Sequence, residues 1–138
     1  MALSMLVLVL PTCVGQHEFY GLYYAPSNDP KGDLVALVIS PDGKPIPPKA
    51  NDPDAPTQPG LQIGREHYSF ASSRLSSKGF SFRTVSANGV EFSFYGRFGH
   101  EQVESIGSVP YLDGTLAEMR DGRLAQKRIV HFGHAVIL

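Results

Sequence analysis

Residues 80–94 read FSFRTVSANGVEFSF, two runs of alternating aromatic and polar residues on either side of Asn88-Gly89. A period of two is the pattern of a half-buried β-strand, and an Asn-Gly pair between two such runs indicates a hairpin. If Ala87-Asn88-Gly89 forms a three-residue loop, Phe82 lies opposite Phe94, and all four phenylalanines share one face of the ribbon.

The choice of loop follows from burial. A two-residue turn shifts the register by one residue, so that Phe80 and Phe82 point away from Phe92 and Phe94. Burying one Phe side chain is worth about 1.5–3 kcal/mol, so exposing two costs roughly 3–6 kcal/mol, a large part of the stability of a domain. We therefore predict the three-residue loop.

Three further segments carry the same glycine-terminated turn pattern, and each is predicted to form a three-residue hairpin loop: Asp29–Gly32, Ser40–Gly43 and Met119–Gly122. Such turns join neighbouring strands locally, and glycine supplies the positive φ that closes each loop. The sequence therefore predicts an all-β fold, an antiparallel meander of about eight strands that forms a small up-and-down barrel. A two-sheet β-sandwich is the alternative.

The predicted strands outside the aromatic hairpin are His17–Ala25, Asp33–Ser40, a short strand near Lys44–Ile46, Leu61–Ala71, Val109–Met119 and Arg123–Phe132. Asp33–Ser40 is nearly all apolar, which predicts a central strand covered on both faces. The predicted connections are a proline-rich loop over residues 47–60, a turn or helical stub at Ser72–Lys78 and a loop at Gly99–Ser108. The apolar tail from His134 is expected to add to a neighbouring strand.

Composition bounds the chain to one domain. Its 138 residues carry 12 Lys plus Arg against 13 Asp plus Glu, a balance that gives no general attraction to nucleic acid or anionic lipid. The single cysteine, Cys13, excludes a disulfide within the chain.

The N-terminal residues predict export. Leu3–Leu10 is an apolar run too short to cross a bilayer, and small residues at Cys13 and Gly15 permit cleavage before Gln16. We predict a signal peptide over residues 1–15 and a single antiparallel domain over residues 16–138, in the periplasm, outside the cell or at the envelope. A lipid anchor at Cys13 is one alternative, and a retained strand in a cytoplasmic protein is another.

Candidate catalytic and metal-binding groups are few. His131 and His134 are three residues apart, an odd spacing that turns the two rings to opposite faces of a strand. Arg65-Glu66-His67 is typical of a solvated strand. His100, Glu101 and Glu104 lie in a predicted loop from which they can approach Asp113. We predict no catalytic, cofactor-binding or metal-binding residues, no cofactor and no enzymatic activity.

The aromatic residues bear on ligand binding. Tyr23 and Tyr24 are adjacent and must point to opposite faces, and Tyr20 completes the cluster. Barrels that bind single-stranded nucleic acid display their aromatic residues outward beside a positive groove, whereas the predicted register groups Phe82 with Phe94 on the core side. No nucleic-acid binding and no membrane-spanning segment are predicted.

The sequence thus predicts a small exported β domain with a non-catalytic binding or structural role at the cell envelope. The alternative is a lipocalin-like carrier of a small apolar ligand, so the expected partner is a protein or such a ligand. A void inside the barrel favours the carrier, and a filled interior favours the partner-binding domain.

Overall fold

The computed structural model describes residues 18–25, 35–48 and 53–135. It is an antiparallel sheet nearly closed into a barrel, and the described residues contain no helix. The nine strands are β1 (Gly21–Ala25), β2 (Val35–Ile39), β3 (Gly60–Ile63), β4 (Glu66–Tyr68), β5 (Phe70–Leu75), β6 (Gly79–Thr84), β7 (Val90–Val103), β8 (Gly107–Arg120) and β9 (Arg123–His134). The predicted leader and the turn at Asp29–Gly32 lie outside the described residues.

The first and last strands meet and join the two halves of the sheet. The strand order is β4-β3-β2-β1-β9-β8-β7-β6-β5, and Tyr23 of β1 pairs with His134 of β9. The Ala135 N–H continues this pairing by donating to the Leu22 carbonyl at 2.8 Å. The expectation that the tail adds to a neighbouring strand is confirmed as far as Ala135, and residues 136–138 are not described.

The two ends of the sheet are consecutive in the chain. Only Ser69 separates β4 from β5, so residues 66–75 run as one bent strand that pairs first with β3 and then with β6. The Val85 N–H donates to the Ser69 carbonyl at the point where the partner changes. When β4 and β5 are counted as one bent strand, the nine strands become eight and match the predicted meander of about eight.

The interior of the barrel is filled where β1, β2, β3, β8 and β9 meet. Six side chains from these strands are 0 % exposed: Tyr23, Ala25, Leu37, Leu61, Leu112 and Phe132. Because a void large enough for water would expose the side chains around it, this part of the interior has no such void.

The aromatic register is confirmed, but the predicted turn is wrong. Phe82 pairs with Phe94, and their rings stack at 5.4 Å. At the tip, Ala87 and Val90 exchange two backbone hydrogen bonds of 2.9 Å around Asn88-Gly89, whose φ angles of 54° and 78° define a two-residue turn. An extra residue between Arg83 and Ala87 forms a bulge that restores the phenylalanine register.

The hairpin between β8 and β9 uses the same device. Arg120 pairs with Arg123 around Asp121-Gly122, whose φ angles are 51° and 80°, and the register shifts between Glu118 and Met119. The three-residue loop predicted here is also wrong. A two-residue turn of this kind matches the twist of the strands. The bulge then shifts the register by one residue, so that the apolar side chains point to the core.

Strand β2 is covered on both faces, as predicted, because the proline-rich segment packs on its outer side. All five β2 residues are buried, and Ala36 and Val38 belong to the same buried cluster as Ala55 of that segment. The predicted strand at Lys44–Ile46 is absent from the structure. Instead, the Ser40 hydroxyl donates to the Lys44 carbonyl at 2.7 Å, and the Ile46 N–H donates to the Thr57 carbonyl at 2.8 Å.

Three other predicted boundaries are wrong. The segment Gly99–Ser108 belongs mostly to β7 and β8, which continue to a tight turn at residues 104–106 with Ser105 at φ 69°. A turn at Gly64-Arg65 interrupts the predicted strand Leu61–Ala71. The predicted turn or helical stub Ser72–Lys78 is shorter than expected. Its first four residues continue β5, because their polar side chains suit a strand whose outer face is solvated, and residues 76–78 connect β5 to β6.

Candidate binding site

The two histidines of β9 lie on opposite faces of the sheet, as their spacing predicts. His131 is exposed on the outer face, where its Nδ1 hydrogen-bonds the Asp113 carboxylate. His134 points inward, stacks on Tyr23 at 4.7 Å and donates from Nε2 to the Tyr20 carbonyl at 3.2 Å. Within the described ranges, no group of three or more His, Cys, Asp and Glu side chains is placed to hold a metal ion.

The other titratable candidates do not converge either. His100 lies on β7 and approaches Glu18, with 3.5 Å between Nε2 and Oε1, while Asp113 pairs with His131. His100 therefore does not reach Asp113, because β7 continues through the predicted loop and pairs His100 with Pro110. Arg65-Glu66-His67 occupies the turn and the start of β4, and all three side chains are exposed.

The adjacent tyrosines of β1 separate as predicted. Tyr23 enters the core, where its hydroxyl donates to the Phe19 carbonyl at 2.9 Å. Burial, and to a smaller extent the Glu18 carboxylate, raises the pKa of Tyr23 above its usual range. Tyr24 points to the other face and packs against the cluster under the proline-rich segment.

A notch opens in the barrel wall between β5 and the start of β3, and we call it the β5 notch. Pairing between β3 and the bent strand ends at Leu61 and Tyr68, because Pro59 has no N–H to donate to the next hydrogen-bonded pair. The proline-rich segment leaves the sheet here and β5 continues without β3 beside it. The resulting cleft has a volume of about 830 Å³.

The open edge of β5 presents backbone hydrogen-bonding groups to the notch. The Ser76 N–H donates to the Gly79 carbonyl, and hydrogen-bonded pairs alternate along an antiparallel ladder. The backbones of Ser72 and Arg74 therefore face β6, and those of Ser73 and Leu75 face the notch. None of the strands in the described ranges pairs with this edge of β5.

Apolar side chains form the floor of the notch. Phe70 and Phe80 lie at its base with ring centroids 5.7 Å apart, beside Ile39, Leu75 and Tyr20. The rim carries neutral polar groups and one histidine: Ser40, Gln58, Ser69, Ser73 and His67. No Asp, Glu, Lys or Arg is among the described residues that line the cleft, so it suits an uncharged, largely apolar occupant.

Sequence reasoning missed this site, although one signal for it was present. Pro59 directly precedes the strand that begins at Gly60, and proline ends ladder pairing on the side where its N–H is required. The notch also depends on the change of partner at Ser69, which a single predicted strand over Leu61–Ala71 conceals.

Comparison with known proteins adds no relative to this picture. No protein-family model, curated protein or solved structure matches the chain. In the described part of the chain, no helix has the length and apolar character needed to cross a bilayer.

Proposed function

We propose that this chain is a small exported β domain that binds a protein partner at the cell envelope without catalysing a reaction. In this proposal the β5 notch is the binding site, and the partner supplies an extended peptide that adds to β5 as a new strand. The observation that carries the proposal is the β5 edge, which places backbone donors and acceptors beside an apolar floor.

The backbone of the notch supports strand addition. Ser73 and Leu75 each offer one N–H and one carbonyl, so an extended peptide forms up to four ladder hydrogen bonds with them. Binding of this kind draws affinity from the main chain and requires no particular sequence at most positions.

The floor of the notch supplies the selectivity. Alternate side chains of an added strand point toward the barrel, where they meet Phe70, Phe80 and Ile39. Because the described residues of the lining carry no carboxylate, ammonium or guanidinium group, the inward side chains of the partner are apolar and uncharged.

Peptide selection tests the proposal. Random peptides of about ten residues, the length of a long strand, are displayed and selected on the folded protein. We expect the enriched peptides to alternate apolar and polar residues. Their binding is lost on Ser73→Pro, which removes a donor from the open edge, and is retained on Ser73→Ala, which keeps that donor. Equal binding to both variants contradicts the proposal.

The export component is supported by the sequence of Leu3–Leu10 and the small residues before Gln16. Mass spectrometry of the protein from its native host tests it. We expect a mature chain that begins at Gln16. A lipid-modified Cys13 indicates an anchored form, and an intact segment from Met1 to Gln16 contradicts export.

A carrier of a small apolar ligand is the second candidate, favoured by the size of the notch. Its volume of about 830 Å³ lies in the range of small-molecule sites, roughly 300–1,000 Å³. Titration with Nile red distinguishes the two functions. For a carrier, Leu75→Ser weakens dye binding and Ser73→Pro does not, because a dye makes no ladder hydrogen bonds.

A further inference from the structure

A second surface lies on the outer face of β5–β9, on the side of the sheet away from the core. It is a shallow concavity of about 600 Å³, which we call the outer-face site. Strand register aligns its outward side chains in two neighbouring rows, Arg74-Ser81-Tyr95-Thr115 and Ser72-Arg83-Ser93-Ala117-Lys127.

The outer-face site has an excess of positive charge. Arg74, Arg83 and Lys127 line it, and the described lining contains no Asp or Glu. None of these three side chains lies within 4.0 Å of a carboxylate in the described ranges. Because the charges of the whole chain nearly cancel, this local excess is a specific feature of the face and attracts anions.

The spacing of the cations indicates an extended anion. Arg83 and Lys127 lie in the same row on strands three positions apart, which at about 4.8 Å per strand places their backbones roughly 14 Å apart. A single phosphate or carboxylate cannot bridge that distance, whereas a chain that carries several acidic groups can.

Tyr95 lies at the centre of the site between two hydroxyl side chains. Its side chain is 67 % exposed, and Ser81 and Thr115 are its direct cross-strand neighbours. An exposed aromatic ring offers an apolar face to the C–H surface of a sugar ring, and flanking hydroxyls exchange hydrogen bonds with sugar hydroxyls.

We propose that the outer-face site binds an acidic polysaccharide. Its acidic groups pair with Arg74, Arg83 and Lys127, and one sugar ring stacks on Tyr95. Serine is depleted from protein interfaces, yet four serines are among the residues that line this site, which disfavours a protein ligand. Single-stranded nucleic acid is disfavoured because its binding surfaces stack successive bases on several aromatic rings, and Tyr95 is the one aromatic ring that projects from these two rows.

Calorimetric titration with heparin and with polygalacturonate tests this proposal, with neutral dextran as the uncharged control. We expect binding to both acidic chains, weakening with salt, and no binding to dextran. The double variant Arg74→Ser/Arg83→Ser raises Kd about tenfold, because each arginine makes a charge-assisted hydrogen bond. The matched variant Arg65→Ser/Arg123→Ser removes the same charge from an exposed turn and from the exposed first residue of β9, and it changes Kd by less than about twofold.

Tyr95→Ser provides an independent test that leaves the charge unchanged. We expect about tenfold weaker binding with the same salt dependence. Equal losses in the two double-arginine variants indicate nonspecific charge attraction and overturn the proposal. Tighter binding of an oligothymidylate than of either polysaccharide also overturns it. Leu75→Ser removes an apolar side chain from the floor of the β5 notch, and Leu75 does not line the outer-face site. It is expected to leave polysaccharide binding unchanged, so the two proposals fail separately.

Discussion

Asp121 and Gly89 join the tips of two neighbouring hairpins. The Asp121 N–H donates to the Gly89 carbonyl at 2.8 Å, and the Asp121 carboxylate occupies the space beside the Gly89 Cα. Both residues belong to two-residue turns with positive φ. The hydrogen bond therefore ties the β6–β7 and β8–β9 turns together at one end of the barrel.

Because of this contact, alanine substitution is expected to cost more at one of two similar glycines than at the other. Gly89 and Gly122 have φ angles of 78° and 80°, so alanine is strained at both. A Cβ at Gly89 meets the Asp121 carboxylate, whereas a Cβ at Gly122 has no atom of the described residues within 4 Å. We expect Gly89→Ala to destabilise the protein by about 1 kcal/mol more than Gly122→Ala in urea denaturation. Equal losses show that the contact does not constrain the turn.

The stacked phenylalanines hold the two halves of the aromatic hairpin. Phe82 and Phe94 are 4 % and 3 % exposed, while Tyr95 is 67 % exposed on the opposite face. We expect Phe94→Ala to lower the free energy of unfolding by about 3–5 kcal/mol, and Tyr95→Ala to change it by less than about 0.5 kcal/mol. Chemical denaturation measures both values. A small loss in Phe94→Ala contradicts the register.

The Thr84 hydroxyl takes the place of a backbone hydrogen-bond acceptor where the bulge interrupts the ladder. Thr84 is 1 % exposed, and its hydroxyl accepts a hydrogen bond from the Phe92 N–H at 2.9 Å. Thr84→Val keeps the shape and removes the acceptor, so we expect a loss of about 1–3 kcal/mol. Thr84→Ser keeps the acceptor and is expected to lose less. The reverse order in thermal denaturation shows that packing, and not the hydrogen bond, gives Thr84 its role.

Tyr23 makes the free energy of unfolding depend on pH in the alkaline range. Its raised pKa in the folded state means that the neutral phenol contributes full stability below the unfolded pKa of about 10. This contribution decreases above that pH, because the unfolded tyrosine ionises first. We expect Tyr23→Phe to lose about 1 kcal/mol at pH 7, from the hydrogen bond to Phe19, and to decline less steeply above pH 10. Parallel curves for the two proteins contradict this role.

The sequence was sufficient to predict the pairing of Phe82 with Phe94 and the antiparallel meander. Both follow from a strong local pattern. The free energy gained by burying several large side chains on one face is larger than the difference between turn types. The turn itself was not predictable by that argument. A bulge between Arg83 and Ala87 allows a two-residue turn and the aromatic register to coexist, and burial arguments constrain only the register.

The β5 notch could not be predicted from the sequence, for a different reason. It depends on Pro59, which stops β3, and on Ser69, where the bent strand exchanges one partner for another. The first is a local signal. The second is set by how the whole barrel closes, because β9 pairs with β1 and leaves β4 and β5 at the ends of the sheet. No window of sequence around Ser69 contains that information.

Amide hydrogen exchange along β5, measured by NMR on the free protein, tests the open edge most directly. We expect slow exchange at Ser72 and Arg74, whose N–H groups pair with β6, and fast exchange at Ser73 and Leu75, whose N–H groups face the notch. A selected peptide is expected to protect Ser73 and Leu75 when it binds. Slow exchange at all four amides in the free protein would mean that the edge is already paired and would contradict the account.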